Sequence, residues 1–174
     1  MDTPARAAAW AALCAGSART RSSAALEPAQ AAALGEQISL RDFYHIAGHR
    51  NSASYGLQKL MWVRDNEPEV YAKTYKALNA KDFIVLRLTG KFYTEPSDAT
   101  SNACIDLNTL QWSEKIVNAS GIDGNKLPEI VPSTTVAGEV TPWAAGQTGL
   151  KAGTPVVMGC LLYTSPSPRD RSLS

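Results

Sequence analysis

The chain has 174 residues, a formal net charge of +1 and 19% charged side chains, with no long run of either sign. That balance argues against nucleic acid or an anionic membrane surface as a partner, since both are recognised mainly through clustered lysine and arginine. At 44% hydrophobic residues the chain can fill one ordinary core. No apolar stretch reaches the roughly 18 to 20 residues that span a bilayer, so the expectation is a cytoplasmic protein with a small, neutral partner.

Residues 1–38 read as a poorly defined, alanine-rich lead-in. Residues 1–26 are rich in alanine, arginine and serine, with Asp2 the only acid before Glu27. That composition fits an organelle transit peptide; a helical lead-in or a misread start is the preferred reading. From Ser39 to Cys160 the sequence changes character and reads as one folded domain.

Ser39 caps a first helix through Asp42, with Phe43 and Ile46 as apolar positions and Gly48 as the stop. A second helix is expected from Tyr55 to Asp65, where Leu57, Leu60 and Met61 share one face. Pro68 suits the first turn of a third, lined by Val70, Tyr71 and Tyr75. Asp82 to Leu88 reads as a buried helix closed by Gly90. Phe92 to Thr94 then favour a strand, and Pro96, Ser97 and Asp98 a turn. Ser113 caps a helix that Gly121 ends. Val136 to Val140 is a strand, Thr141 and Pro142 open a helix to Gly149, and Pro155 to Met158 is an apolar strand expected inside a sheet. Strand, helix and strand in that order suggest an α/β domain.

Cys14, Cys104 and Cys160 are widely spaced and form no CxxC pair, so neither a zinc knuckle nor a redox couple is expected. Cys104 reads as a small buried residue. His45 and His49 stand four apart, a ligand spacing on a helix, but Gly48 interrupts it and no third ligand is in view. Asn118, Ala119 and Ser120 form a glycosylation sequon that a cytosolic protein would not use. Trp62 is expected in the core with Leu57 and Met61, and Lys59 as a surface lysine beside it.

Residues 161–174 hold four serines, two prolines and two arginines after Thr164. Such a composition cannot supply a core element and reads as a disordered, non-native tail.

The stretch SYGLQKLMWVRDN, Ser54 to Asn66, resembles the first signature of the FGGY carbohydrate kinases. Lys59, Leu60, Trp62, Val63, Asp65 and Asn66 match it; Gly56 departs, where that pattern places proline, serine or threonine. Asn66 to Asn102 is similar to the family's stretch from this helix through an RLTG helix end to an SDA loop. Leu127 to Gly159 is similar to its strand, helix and strand before the active site. GHRNSASY and PSTTVAGEVTP most resemble the xylulokinase branch.

The resemblance implies a partial ribonuclease-H-like, actin-like ATPase domain of α/β class with a helical insertion. It implies ATP with Mg²⁺ as phosphoryl source, a ketopentose such as xylulose as acceptor, and a homodimer for a longer parent. Ser54 and Tyr55 fall at the sugar-facing loop, where Ser54 is equally a helix cap; Asp98 falls in the SDA loop as a candidate sugar contact, where a plain turn is the preferred reading. The family's proton-accepting aspartate follows the glycines after the strand matching Pro155 to Gly159. Here the sequence reads Cys160 and then LLYTS, and Asp170 lies in the tail, so the chain as given is expected to be inactive. Kinases for glycerol, ribulose or gluconate are the alternatives, together with a non-catalytic binding fragment.

Overall fold

The computed structural model describes residues 28–159; the lead-in before Pro28, with Cys14, and the tail from Cys160 lie outside the described residues. In chain order the elements are α1 (Pro28–Gln37), α2 (Leu40–Ala47), α3 (Gly56–Asn66), α4 (Pro68–Lys73), α5 (Ala80–Thr89), β1 (Tyr93–Thr94) and α6 (Pro96–Ala99). Then follow a 3₁₀ turn (Thr100–Asn102), β2 (Ile105–Asp106), β3 (Gln111–Trp112), α7 (Glu114–Ser120) and a second 3₁₀ turn (Gly124–Lys126). The chain ends its described course with β4 (Glu129–Ile130), β5 (Val136–Glu139), α8 (Pro142–Thr148) and β6 (Pro155–Val157). Two compact units result. One combines the residues up to Leu78 with Ala99–Pro128, the other Asn79–Asp98 with the residues from Glu129 on.

The first unit is mostly helical. Its core joins Leu34 of α1, Phe43 and Ala47 of α2, Leu57, Leu60 and Met61 of α3, and Ile116 and Val117 of α7 around Cys104. Each fully buried Leu or Phe contributes roughly 1.5 to 3 kcal/mol. The helix α1 begins ahead of Ser39 and sends Leu34 into this core, joined by Ile38 just after it, so the folded part reaches back to Pro28.

The predicted caps of α2 are in place: Ser39 Oγ accepts from the Asp42 amide at 3.0 Å, and Gly48 closes the helix at φ 67°. Pro68 opens α4, which ends at Lys73, so Tyr75 falls beyond the helix and is exposed. The β2–β3 pair is antiparallel, and Ser113 and Gly121 bound α7 as expected. Lys76 donates to the Asn125 and Leu127 carbonyls at 2.7 and 2.6 Å, and Trp112 Nε1 donates to the Pro128 carbonyl at 2.7 Å. These bonds fasten the loop before β4 to two separate segments. Trp62 is half-buried and lies outside the core cluster, against expectation. The helix stripe is filled by Leu57, Leu60 and Met61, and the indole sits beside it.

In the second unit, β1 and β4 pair in parallel, Tyr93 against Glu129 and Thr94 against Ile130. The helix α5 is less apolar in effect than in composition. It buries Asp82, Val85, Leu86 and Thr89, and leaves Ile84 56% exposed. Gly90 closes it at φ 76°.

Strands β5 and β6 are antiparallel, with Val136 opposite Val157, and α8 bridges them under a Thr141 cap. This corrects the expectation of a buried final strand: Val157 is 51% exposed, and only Met158 just after it is buried. An apolar tripeptide reads the same in a sheet centre and in a two-stranded ribbon. The Arg87 guanidinium of α5 stacks on the exposed Trp143 ring of α8, 4.1 Å from its centroid, a cation–π contact.

Candidate functional site

In the first unit the segment between α2 and α3 is a folded loop built from side-chain hydrogen bonds. The Asn51 amide donates to the Ala31 carbonyl at 2.6 Å, and the wholly buried Gln58 donates to Asn51 Oδ1 at 2.9 Å. The loop is thereby anchored to α1 on one side and α3 on the other. At its surface, Ser52 Oγ and Ser54 Oγ stand 3.2 Å apart. Tyr55 Oη and His49 Nδ1 are 3.1 Å apart, their rings 4.9 Å between centroids.

His49 therefore lies beyond the α2 stop and is engaged with Tyr55, so His45 and His49 do not share a helix face. Nor does Ser54 cap α3. The N-cap position belongs to Tyr55, which makes no side-chain cap bond, and the Ser54 hydroxyl turns to Ser52 instead. Four polar groups from residues 49, 52, 54 and 55 are thus gathered on one short loop. Hydroxyls and an imidazole of this kind suit a hydroxyl-rich ligand.

The signature residues sit on α3. Lys59 is exposed. Asn66 donates to the Trp62 carbonyl at 3.0 Å, closing the last turn. Asp65 accepts from Arg64 Nε at 2.7 Å and from Gln30 of α1 at 3.3 Å. The Arg64 hydrogen bond holds its carboxyl below the usual range. Arg64 itself donates to the Ser120 carbonyl of α7. Asp65 thus joins α3 to α1, while Asn66 closes α3 on itself through the Trp62 backbone carbonyl.

The second unit holds a buried ionic cluster absent from the sequence reading. Lys81 Nζ lies 3.1 Å from Asp82, 3.7 Å from Glu95 and 3.7 Å from Asp98. Glu95 is wholly buried. Its carboxylate accepts from the Ser97 amide at 2.8 Å, the Ser97 hydroxyl at 2.5 Å, the Asp98 amide at 3.0 Å and the Ser133 hydroxyl at 2.8 Å. Two of those donors are first-turn amides of α6, so Glu95 caps that short helix as Asp or Ser more commonly does.

Burial pushes the Glu95 carboxyl up, but the bonds from Ser97 and Ser133 and the Lys81 charge outweigh it and hold the carboxyl below its ordinary value. Burial raises Asp82 and Asp98 above theirs, Lys81 opposing in both cases. Asp98 is not part of a plain solvent-facing turn: it is buried on α6, with Asn79 donating to its carbonyl at 3.0 Å.

The candidate residues divide between the units. Ser54, Tyr55, Lys59, Trp62, Asp65 and Asn66 belong to the first, Asp98 to the second. Lys81, Glu95 and Ser133 escaped sequence reasoning; the one available signal was an acid directly before Pro96, at the place of a helix cap. Among the described residues no group of three His, Cys, Asp or Glu is disposed to hold a metal ion. The oxygens around Lys81 face an ammonium, so these residues do not fit a Mg²⁺ site. No helix among them is long and apolar enough to cross a membrane.

Residues 21–161 match the model of the FGGY family of carbohydrate kinases, N-terminal domain. A xylulose kinase of Lactococcus lactis is 43% identical over 86 residues, which are 49% of this chain and 17% of that protein. An autoinducer-2 kinase of Klebsiella pneumoniae is 30% identical over 118 residues, 68% of this chain and 22% of that protein. In structure the chain is similar to xylulose kinase from Rhodospirillum rubrum, with a TM-score of 0.72 and 27% identity over 77% of this chain and 28% of that one. The chain therefore spans 17% to 28% of the length of these three proteins. An actin-like, ribonuclease-H-like fold of mixed helix and strand accounts for these matches, and the chain belongs to the FGGY family of carbohydrate kinases, within its N-terminal domain.

Proposed function

We propose that this stretch is the sugar-binding part of a kinase that transfers the terminal phosphoryl group of ATP to a ketopentose such as xylulose. The observation that carries the reading is the hydroxyl-lined loop of Ser52, Ser54 and Tyr55, held in shape by Asn51 and Gln58, in a chain similar to xylulose kinases. Positioning by such bonds is how a protein contributes to phosphoryl transfer, in which the charge is otherwise handled by metal and cationic groups. On this reading Ser54 and Tyr55 face the sugar. Asp98, paired with Lys81 in the second unit, is read as a scaffold residue of that unit. ATP and Mg²⁺ are held by residues other than those described, and the proton-accepting carboxylate follows Gly159, two residues beyond β6, where this chain has Cys160.

The test is phosphorylation of a panel of ketoses and polyols by the product of the complete gene, with ATP as donor. Xylulose is expected among the best acceptors. Preference for glycerol, gluconate or ribulose would reassign the sugar, and transfer to none of them would remove the kinase reading. The gene sequence beyond the codon for Gly159 offers an independent check: a Gly-Asp pair leading into a glycine-rich helix start is expected.

A further inference from the structure

We infer that Glu95, acting through Ser133, is a positioning residue that fixes the backbone where the chain leaves β6. The inference rests on the kinase reading above only for its consequence in catalysis; the structural relay stands on its own. Glu95 Oε2 receives the Ser133 hydroxyl at 2.8 Å. The Ser133 carbonyl in turn accepts the Gly159 amide at 2.9 Å, and the Thr135 carbonyl accepts the Met158 amide at 2.9 Å. At its other end the same loop donates the Val131 amide to the Thr94 carbonyl at 3.0 Å.

The loop 131–135 is therefore a bracket with one foot on β1 and one on the end of β6. Val131 packs its side chain on Val85, Ala137 and Met158, and among the hydrogen bonds of the described residues the side-chain tie of the loop is Ser133 to a wholly buried anion. Hydrogen bonds to an ionised acceptor are about twice as strong as neutral ones, and the Ser97 amide and hydroxyl bonds, with Lys81 at 3.7 Å, favour the charged acceptor. Gly159 adopts φ 64°, a left-handed backbone that a side chain would resist. The carbonyl of Ser133 selects that conformation through one bond. A group attached just beyond Gly159 inherits its direction from this point. On the kinase reading that group is the proton acceptor, for which a misplacement of about 1 Å can cost on the order of a hundredfold in rate.

Ser133→Ala removes the tie without touching Glu95 or its cap on α6, and Ser133→Thr restores the hydroxyl. Amide hydrogen exchange on the 174-residue chain reads the result. In Ser133→Ala the Gly159 and Met158 amides are expected to exchange about tenfold faster, while the Ala145 and Gly149 amides of α8 and Gly90 at the end of α5 keep their rates; Ser133→Thr returns Gly159 to the original rate. Unchanged exchange at Gly159, equal acceleration throughout the second unit, or no rescue by threonine would each overturn the inference. In the complete kinase the alanine variant is expected to lose kcat with KM for sugar unmoved. A complete protein that phosphorylates no sugar, with the exchange pattern as expected, would refute the functional reading and leave the relay intact.

Discussion

The side-chain oxygen of Asn102 occupies the space where a Cβ at residue 56 would stand. A methyl group there would overlap Oδ1 and lie 3.1 Å from Cγ and 3.4 Å from Cα of Asn102. Gly56 is also the position at which the chain departs from the FGGY signature. The departure has a partner: a bare α-carbon at the start of α3 makes room for the amide from the 3₁₀ turn. Gly56→Ala is expected to destabilise the first unit by about 1 to 3 kcal/mol through overpacking. Asn102→Ala should recover most of that loss in the double variant. Urea unfolding of the four proteins of the cycle measures the coupling, and additive effects would show that the amide yields freely.

Among the described residues Lys81 is the cation paired with Asp82, Glu95 and Asp98 in that buried cluster. Lys81→Met leaves those carboxylates without their counter-charge and should lower the stability of the second unit by about 3 kcal/mol. Adding Asp82→Asn to that variant is expected to return part of the loss, because one stranded charge is gone. A loss under about 0.5 kcal/mol for Lys81→Met would mean that solvent already screens the cluster.

The same cluster sets a pH dependence whose sign follows from proton uptake. Asp82 and Asp98 titrate above the ordinary aspartate value of 3.8 in the folded state, so between that value and their folded pKa the native chain binds more protons than the unfolded one. Stability of the second unit should therefore fall as pH rises through that interval. Glu95 is depressed below the ordinary glutamate value of 4.5, so its contribution is present above that value and is lost as pH falls through its folded pKa. Thermal unfolding from about pH 3 to about pH 7 should show a maximum in mildly acidic solution. Asp82→Asn should flatten the decline on the neutral side. A profile in Asp82→Asn that retains the full decline would locate its source elsewhere.

Cys104 lies wholly buried in the core of the first unit, where burial pushes its thiol up to about 12. The thiolate is the reactive form. In a Cys14→Ser, Cys160→Ser background, a thiol reagent at neutral pH is expected to modify Cys104 at the rate of unfolding, with denaturant accelerating it. Rapid labelling of the native chain would contradict the packing described here.

Much of the first-order structure was legible because its causes are local. Ser39, Ser113 and Thr141 cap their helices through an amide three residues on, and Gly48, Gly90, Gly121 and Gly149 take the left-handed conformation that ends them. Pro68 and Pro142 mark first turns for the same reason of fixed φ. What escaped depends on contacts between distant residues. Glu95 and Ser133 are separated by 38 positions, and neither residue type alone suggests a buried relay. Ile84 and Val157 are apolar and exposed, since composition does not say which face of an element has a partner. Ser54 looked like a cap, but with Ser52 two residues away the hydroxyl found a different partner. The loop's candidacy was readable only from the FGGY resemblance. Its geometry required Asn51, Gln58 and α1.

The stacking of Arg87 on Trp143 provides an optical reporter. Trp143 is the one tryptophan of the chain in the second unit, while Trp62 and Trp112 fall in the first. With phenylalanine at the remaining tryptophan positions, the emission of Trp143 follows the second unit alone. The guanidinium over its ring makes that emission sensitive to any shift between α5 and α8. A transition seen by this fluorophore and not by Trp112 in the reciprocal variant that keeps it alone, its indole fixed to the Pro128 carbonyl, would reveal two units melting as separate cooperative bodies.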